Sequence, residues 1–205
     1  LADDLVDWQA LLSAATRAIP VNSCASLNAA LGSVNPGDMI MVDSGSYEGC
    51  RVSISRSGTA ARPVIIASAA RARGEAGEVV FSGGDTFATF RNSASHYIIG
   101  GFRFTGQSEA AFDLEDGAVV TDTSGATVYE DGSINIRFTE NQYEFIGRDA
   151  GSTRGVILAG VRSHNIRIDH SVFESNYNQI RFKNNKTAVD RKSTRLNSQS
   201  RGHLV

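Results

Sequence analysis

Proline is scarce in this chain, three residues in 205, and there are only two cysteines. No apolar run approaches the 18 or more residues of a membrane span, so no transmembrane helix and no membrane partner are expected. Residues 1–20 carry Asp3, Asp4 and Asp7 and lack a basic stretch ahead of an apolar one, so they do not read as a signal peptide. Two cysteines and four scattered histidines make no zinc pattern. There is no Gly-x-Ser-x-Gly elbow to support a Ser-His-Asp hydrolase. Glycine-rich stretches such as Gly100-Gly101 lack a phosphate-loop lysine. A net charge of −2 argues against nucleic acid as the main partner. It leaves room for a local basic cleft that takes a polyanionic sugar.

What the chain does have is a recurring short strand. His96-Tyr-Ile-Ile-Gly-Gly-Phe-Arg-Phe104, Asn135-Ile-Arg-Phe-Thr-Glu-Asn-Gln-Tyr143 and Asn165-Ile-Arg-Ile-Asp-His-Ser-Val-Phe173 are versions of one phrase, each after a Ser/Gly/Asn turn. The last two are offset by 30 residues. Strand repeats of that period point to a solenoid, in which a coil buries its apolar face only by stacking on the next. Twenty glycines fit the many tight turns this requires, and 41% apolar residues supply a core. The expected fold is all-β, a right-handed single-stranded parallel β-helix with an N-terminal capping helix.

Ser26–Leu31 reads as the cap helix, with Ser26 as N-cap and Gly32 as its end. Asp38–Val42 reads as the first strand, and Gly45–Tyr47 as a turn. Alternation sends Val52 and Ile54 inward, and Pro63–Ala67 is an apolar run of the kind found in covered parallel sheets. Strands follow at Glu78–Phe81, Phe87–Phe90 and Tyr97–Ile99. Spacings of 24 residues from Ala88 to Phe112 and 23 from Ile157 to Ile180 match one coil each. They predict that Phe87–Phe90, Phe112–Leu114, Val156–Leu158 and Ile180–Phe182 stack in one sheet. The strands near Ile98, Ile136 and Ile166 stack in a second. Val128 is expected in the first of these, within a coil lengthened by the insertion 118–125. Phe112, Leu114, Ile180 and Phe182 face inward; Asp113, Glu115, Arg181 and Lys183 face outward. Asn92 and Asn184 fall at coil corners, where asparagine tolerates a left-handed backbone.

The two ends depart from this pattern. Leu5, Trp8, Leu11, Leu12 and Ala15 have helical spacing within an otherwise irregular segment, 1–22. The β-helix proper is assigned to 23–189. Residues 190–205 break off the strand pattern, and Asp190–Ser198 resembles the translation of a sequencing adapter; the alternative is a genuine basic tail. Without that tail 16 basic and 21 acidic residues remain, a net charge of −5.

The order of phrases resembles a known family. It runs from a Ser/Leu-rich cap helix through Pro36-Gly37-Asp38 and Gly45-Ser-Tyr-Glu-Gly49 to Ser57-Gly-Thr-Ala-Ala-Arg-Pro-Val-Ile-Ile66. Gly77-Glu-Val-Val-Phe-Ser-Gly83, Tyr97–Phe104 and Arg167-Ile-Asp-His-Ser-Val-Phe173 complete it. Over about 23–185 this is similar to the N-terminal half of polysaccharide lyase family 6, the chondroitinase B-like and alginate lyases. The resemblance implies a secreted or periplasmic monomer acting on an anionic polysaccharide. Its reaction would be β-elimination of a uronate such as alginate or dermatan/chondroitin sulfate. It also implies Ca²⁺ beside the substrate carboxylate, a lysine of lowered pKa as general base and an arginine at the leaving oxygen. Those residues belong to coils further along, so no catalytic residue and no metal ligand is assigned here, and the chain by itself is expected to be inactive.

The remaining candidates are weaker. Arg181 and Lys183, two apart on one strand face, are the substrate-binding candidates; the alternative is a solvated face that discourages edge pairing. His170 reads as a turn-supporting hydrogen bonder or a sugar contact. Asp113, Glu115, Glu130 and Asp131 read as an acidic, solvated stripe along the first sheet, with Ca²⁺ binding as the other option. Tyr129 and Tyr177 are candidates for stacking on sugar rings. In a secreted solenoid Cys24 and Cys50 would form a disulfide from the cap to the first coil; two buried thiols are the alternative. A non-catalytic carbohydrate-binding or adhesin β-helix competes with the lyase reading. A β-helical glycoside hydrolase, which needs two acids flanking a cleft, is a weaker third.

Overall fold

The computed structural model describes residues 5–121, 123–147, 155–182 and 196–198. A short helix, α1 (Trp8–Ala14), leads into strand β1 (Arg17–Val21) and helix α2 (Cys24–Ser33). The first full coil is β2 (Asp38–Val42), β3 (Gly45–Glu48) and β4 (Val52–Ile54). The second is β5 (Val64–Ser68), helix α3 (Ala69–Arg73), β6 (Val79–Ser82) and β7 (Thr86–Phe90). The third is β8 (Tyr97–Gly100), β9 (Arg103–Thr105) and β10 (Ala110–Leu114). A hairpin, β11 (Val119–Thr121) and β12 (Thr127–Tyr129), precedes the fourth coil of β13 (Ile134–Thr139), β14 (Gln142–Glu144) and β15 (Ile157–Ala159). The fifth is β16 (His164–Glu174) and β17 (Ile180–Phe182), and β18 (Leu196–Ser198) lies on β16.

Strands of successive coils pair in parallel and make three faces. Face A holds β1, β2, β5, β8, β13 and the first part of β16; face B holds β3, β6, β9, β14 and the rest of β16; face C holds β4, β7, β10, β15 and β17. The fold is the expected right-handed parallel β-helix, the hand that parallel crossovers adopt almost without exception. The spacings read from the sequence are register pairs: Ala88 with Phe112, Ile157 with Ile180, Ile136 with Ile166. Among the described residues no helix is long and apolar enough to cross a membrane.

Register turns each inward position into a column. On face A the column is Ile40, Ile66, Ile99, Phe138 and Ile168. On face B it is aromatic throughout: Tyr47, Phe81, Phe104, Tyr143 and Phe173. Ring centroids along that ladder are 5.2, 5.4, 5.4 and 4.9 Å apart, close to the strand spacing itself. Phe104, at its centre, also meets Phe87 and Phe112 from face C at 5.1 Å each.

Corners are columns too. Gly49, Gly83, Gly106, Phe145 and Ser175 all have φ between 54° and 73° where face B turns into face C. His96, Asn135 and Asn165, the residues that open the three repeated phrases, have φ of 63°, 55° and 55° at the entry to face A. Asn165 Nδ2 donates to Asn135 Oδ1 at 3.1 Å, so the corner carries its own ladder. Asn92 has the left-handed backbone its position suggested, φ 54°; Asn184 lies outside the described residues.

Several local expectations are corrected. The N-cap of α2 is Ser23, and Ser26 is its reciprocal partner three residues on: each hydroxyl accepts from the other's backbone N–H at 3.1 Å. The helix passes through Gly32 to Ser33. Asp38–Val42 is preceded by another strand, since Arg17–Val21 pairs with it residue for residue. Gly45–Tyr47 is strand rather than turn, because its backbone hydrogen-bonds to β6. α3 carries no helical period long enough to be seen in the sequence. Val128 pairs with Val120 in the antiparallel hairpin and is not in face C. Phe182 falls in the inward register column beside Ala159, as alternation predicts, but is 58% exposed.

Cys24 and Cys50 form the disulfide, with Cα atoms 5.5 Å apart. It ties the start of α2 to the first coil across 26 residues. Replacing both cysteines by serine is expected to cost about 3 kcal/mol in the chain-entropy account, read as a lower urea midpoint. Phe104→Ala, at the meeting point of two aromatic columns, is expected to cost roughly 3–5 kcal/mol by the same measurement.

Candidate substrate-contacting faces

Outward positions also stack in columns, and the chemistry of each face follows from them. On face C the column is Ser53, Thr89, Asp113, Leu158 and Arg181. Its cation is at the far end, two coils from Asp113, or roughly 10 Å at the usual strand spacing. Arg181 is half-buried; Lys183 lies outside the described residues. The structure therefore places Arg181 on an outward row, opposite Leu158.

Face B is acidic. One outward row is Glu48, Ser82, Thr105, Glu144 and Glu174. Arg103, in the neighbouring row, bonds Glu144 at 2.7 Å and approaches Glu78 at 3.9 Å. The hydrogen bond to Glu144 raises the Arg103 pKa against the opposing effect of burial. A cation neutralised in this way offers a polyanion little, and the glutamate row repels one.

Face A changes character along its length. Its outward columns begin as Met39, Ile65 and Ile98, and as Met41 and Ala67. They end as Arg137 and Arg167, and as Thr139 and Asp169. Arg137 and Arg167 are register neighbours and both bind Asp169, Arg137 through Nη2 at 3.0 Å and Arg167 through Nε. Two guanidiniums stacked on adjacent coils repel unless a carboxylate lies between them, and Asp169 supplies it. Burial pushes the Asp169 carboxyl up. The Thr139 hydroxyl, the Arg137 hydrogen bond and the charges of Arg137 and Arg167 outweigh that and hold it below its ordinary value. The sequence reading did not single out this trio. The signal was present in the two Asn-Ile-Arg phrases 30 residues apart, which force their arginines into one column.

The other candidates resolve one by one. His170 is at the A-to-B corner with φ 47°, in line with Glu140 and Gly101, and its Nδ1 is 3.5 Å from Asp169 Oδ1. The acidic stripe is not a stripe. Asp113 is on face C, but Glu115 accepts from the Asn92 N–H at 2.8 Å and pairs with Arg91 at 3.3 Å. Glu130 and Asp131 follow the hairpin, and Asp131 faces Arg162 and His164 at 3.4 Å. Tyr177 is 48% exposed, and the side chain of Tyr129 lies outside the described residues. Among the described residues no group of three or more His, Cys, Asp or Glu could hold a metal ion. These residues therefore do not fit a Ca²⁺ site, and none is given that role.

Comparison with known proteins agrees with the family resemblance. Residues 21–111, from the end of β1 through α2 into β10, match the family model described as Chondroitinase B. The solved structure of the PL6 family alginate lyase AlyGC superimposes with a TM-score of 0.52 at 14% identity, covering 76% of this chain and 19% of that one. The PL6 family polysaccharide lyase Pedsa3628 from Pseudopedobacter saltans gives 0.51 at 16% identity, with 76% and 31% covered. No curated protein matches. The chain is thus a parallel β-helix that is similar to polysaccharide lyases of family 6, and it spans about a fifth to a third of the length of those two structures.

The Asp169 trio makes a pH prediction. A carboxyl depressed in the folded state stabilises the fold at neutral pH. That contribution is lost as pH falls from the unfolded value near 3.8 through the lower folded one. Asp169→Asn should cost on the order of 2 kcal/mol at pH 7. Its penalty should shrink as pH falls below about 4, in urea titrations of both proteins across pH.

Proposed function

We propose that this chain forms the early coils of a secreted or periplasmic lyase that cleaves a uronic-acid polysaccharide, alginate or dermatan/chondroitin sulfate, by β-elimination. The observation that carries the reading is the family match across the cap helix and first three coils, on a tube with the matching architecture. In this reaction a base removes the C5 proton, the C4–O bond breaks, a C4–C5 double bond forms and the leaving oxygen is protonated. A divalent cation beside the uronate would supply neutralisation of its carboxylate, which makes the C5 proton removable; the described residues of this chain do not hold it. No described residue of this chain is given any of those steps.

The role of these coils is to bind and align the polymer. In the fourth and fifth coils the described cations are Arg137 and Arg167 on face A, Arg162 at a corner and Arg181 on face C. The acidic row of face B turns a polyanion away from that side. An extended chain of uronates is therefore held by face C and its edges, with Arg181 as the contact this chain contributes.

Two measurements test the reading. The chain should bind alginate or dermatan sulfate more weakly as salt rises, and Arg181→Ala should lower affinity by about 2- to 5-fold at low salt. The protein from the complete gene should raise ultraviolet absorbance through its unsaturated product. Absence of that rise on every polyuronate would remove the lyase reading. Binding without product would put a carbohydrate-binding β-helix in its place.

A further inference from the structure

Helix α1 is attached to the tube differently from every strand. Its seven residues are too few to stay helical alone in water. Trp8, Leu11 and Leu12 pack on Met39, Met41 and Ile65, which point out of face A. This cluster is separate from the one that fills the tube, with the sheet backbone between them. At one end the Trp8 indole N–H donates to Glu140 Oε1 at 2.9 Å, across 132 residues, in the fourth coil. The ring rests on Gly100, where a Cβ would come within 2.8 Å of two of its atoms. At the other end Ala15 is extended, the Thr16 N–H donates to the Gly37 carbonyl at 2.9 Å, and β1 is already in the sheet. Beside the helix, Gln9 Nε2 donates to the Arg73 carbonyl at 3.3 Å.

Rotation at Ala15–Thr16 would thus lift α1 away without breaking a strand pair or opening the inner core. We infer that α1 is a strap that opens and closes as a unit over face A, hinged at Ala15–Thr16 and latched by Trp8 on Glu140. Opening bares the Met39, Met41 and Ile65 stripe and leaves Glu140 paired with Arg71 at 3.8 Å, while the β-helix stays folded. Local units with few buried contacts open below the global transition.

Trp8 is the only tryptophan, so its emission reports the strap alone. Urea titration followed by Trp8 emission should show a transition at lower urea, and with a shallower slope, than titration followed by far-ultraviolet circular dichroism. Glu140→Ala removes the acceptor. It should increase the open strap at least about fivefold while leaving the dichroism midpoint in place. Coincident curves in the unaltered chain, or both midpoints moving together in the variant, would overturn the inference. Hydrogen exchange needs no variant: amides of 8–14 should exchange faster than those of β5 and β8, and equal protection would also overturn it.

Discussion

A parallel coil cannot bury its own inner face, and that constraint organises the whole molecule. Outside the β11–β12 hairpin, each strand is hydrogen-bonded only to strands of the coil before and the coil after. Every residue therefore acquires two register neighbours of its own kind of position, above and below. Inward columns become the core, of which the Tyr47–Phe173 ladder is aromatic throughout. Corner columns take up the left-handed backbone together. Outward columns set the chemistry of the surface. Burial, bending and recognition are three consequences of the same stacking.

Among the described residues the only strand before the first coil is β1, on face A, and three further devices shield that end. α2 closes the tube, with Leu27, Ala30 and Leu31 buried against it. The disulfide ties that helix to the first coil. α1 covers the outside of face A, where the sheet is apolar on both sides. That double burial explains why Asp38–Val42 and Val64–Ser68 are buried at every position, and why their sequences do not alternate. Beyond α1 the same columns become Arg137, Arg167 and Asp169, and face A meets water with paired charge.

Legibility followed from how local each cause was. The strands of faces A and C could be read because repeat spacing and alternation act over a few residues. Ala88 with Phe112 and Ile136 with Ile166 were visible as numbers before they were visible as pairs. The disulfide was readable because only two cysteines exist. Gly45–Tyr47 and Val128 were misread because strands of three or four residues carry no period of their own. The Asp169 trio was half legible. The repeated Asn-Ile-Arg phrase put the arginines in one column, but nothing local said that a carboxylate from the later phrase would lie between them. The acidic stripe failed for a related reason: Glu115 and Asp131 leave face C for the corner that leads into face A, where they meet Arg91, Arg162 and His164.

The sequence by itself determined the repeat, the inward and outward alternation and the left-handed corners, because each depends on a residue and its immediate neighbours. Tertiary structure alone decided which outward residues meet. Trp8 reaches Glu140 across 132 residues, and Arg137 reaches Asp169 across 32. The lengths of the intervening turns and insertions set those contacts, and a change of one residue in any coil would shift every column that follows.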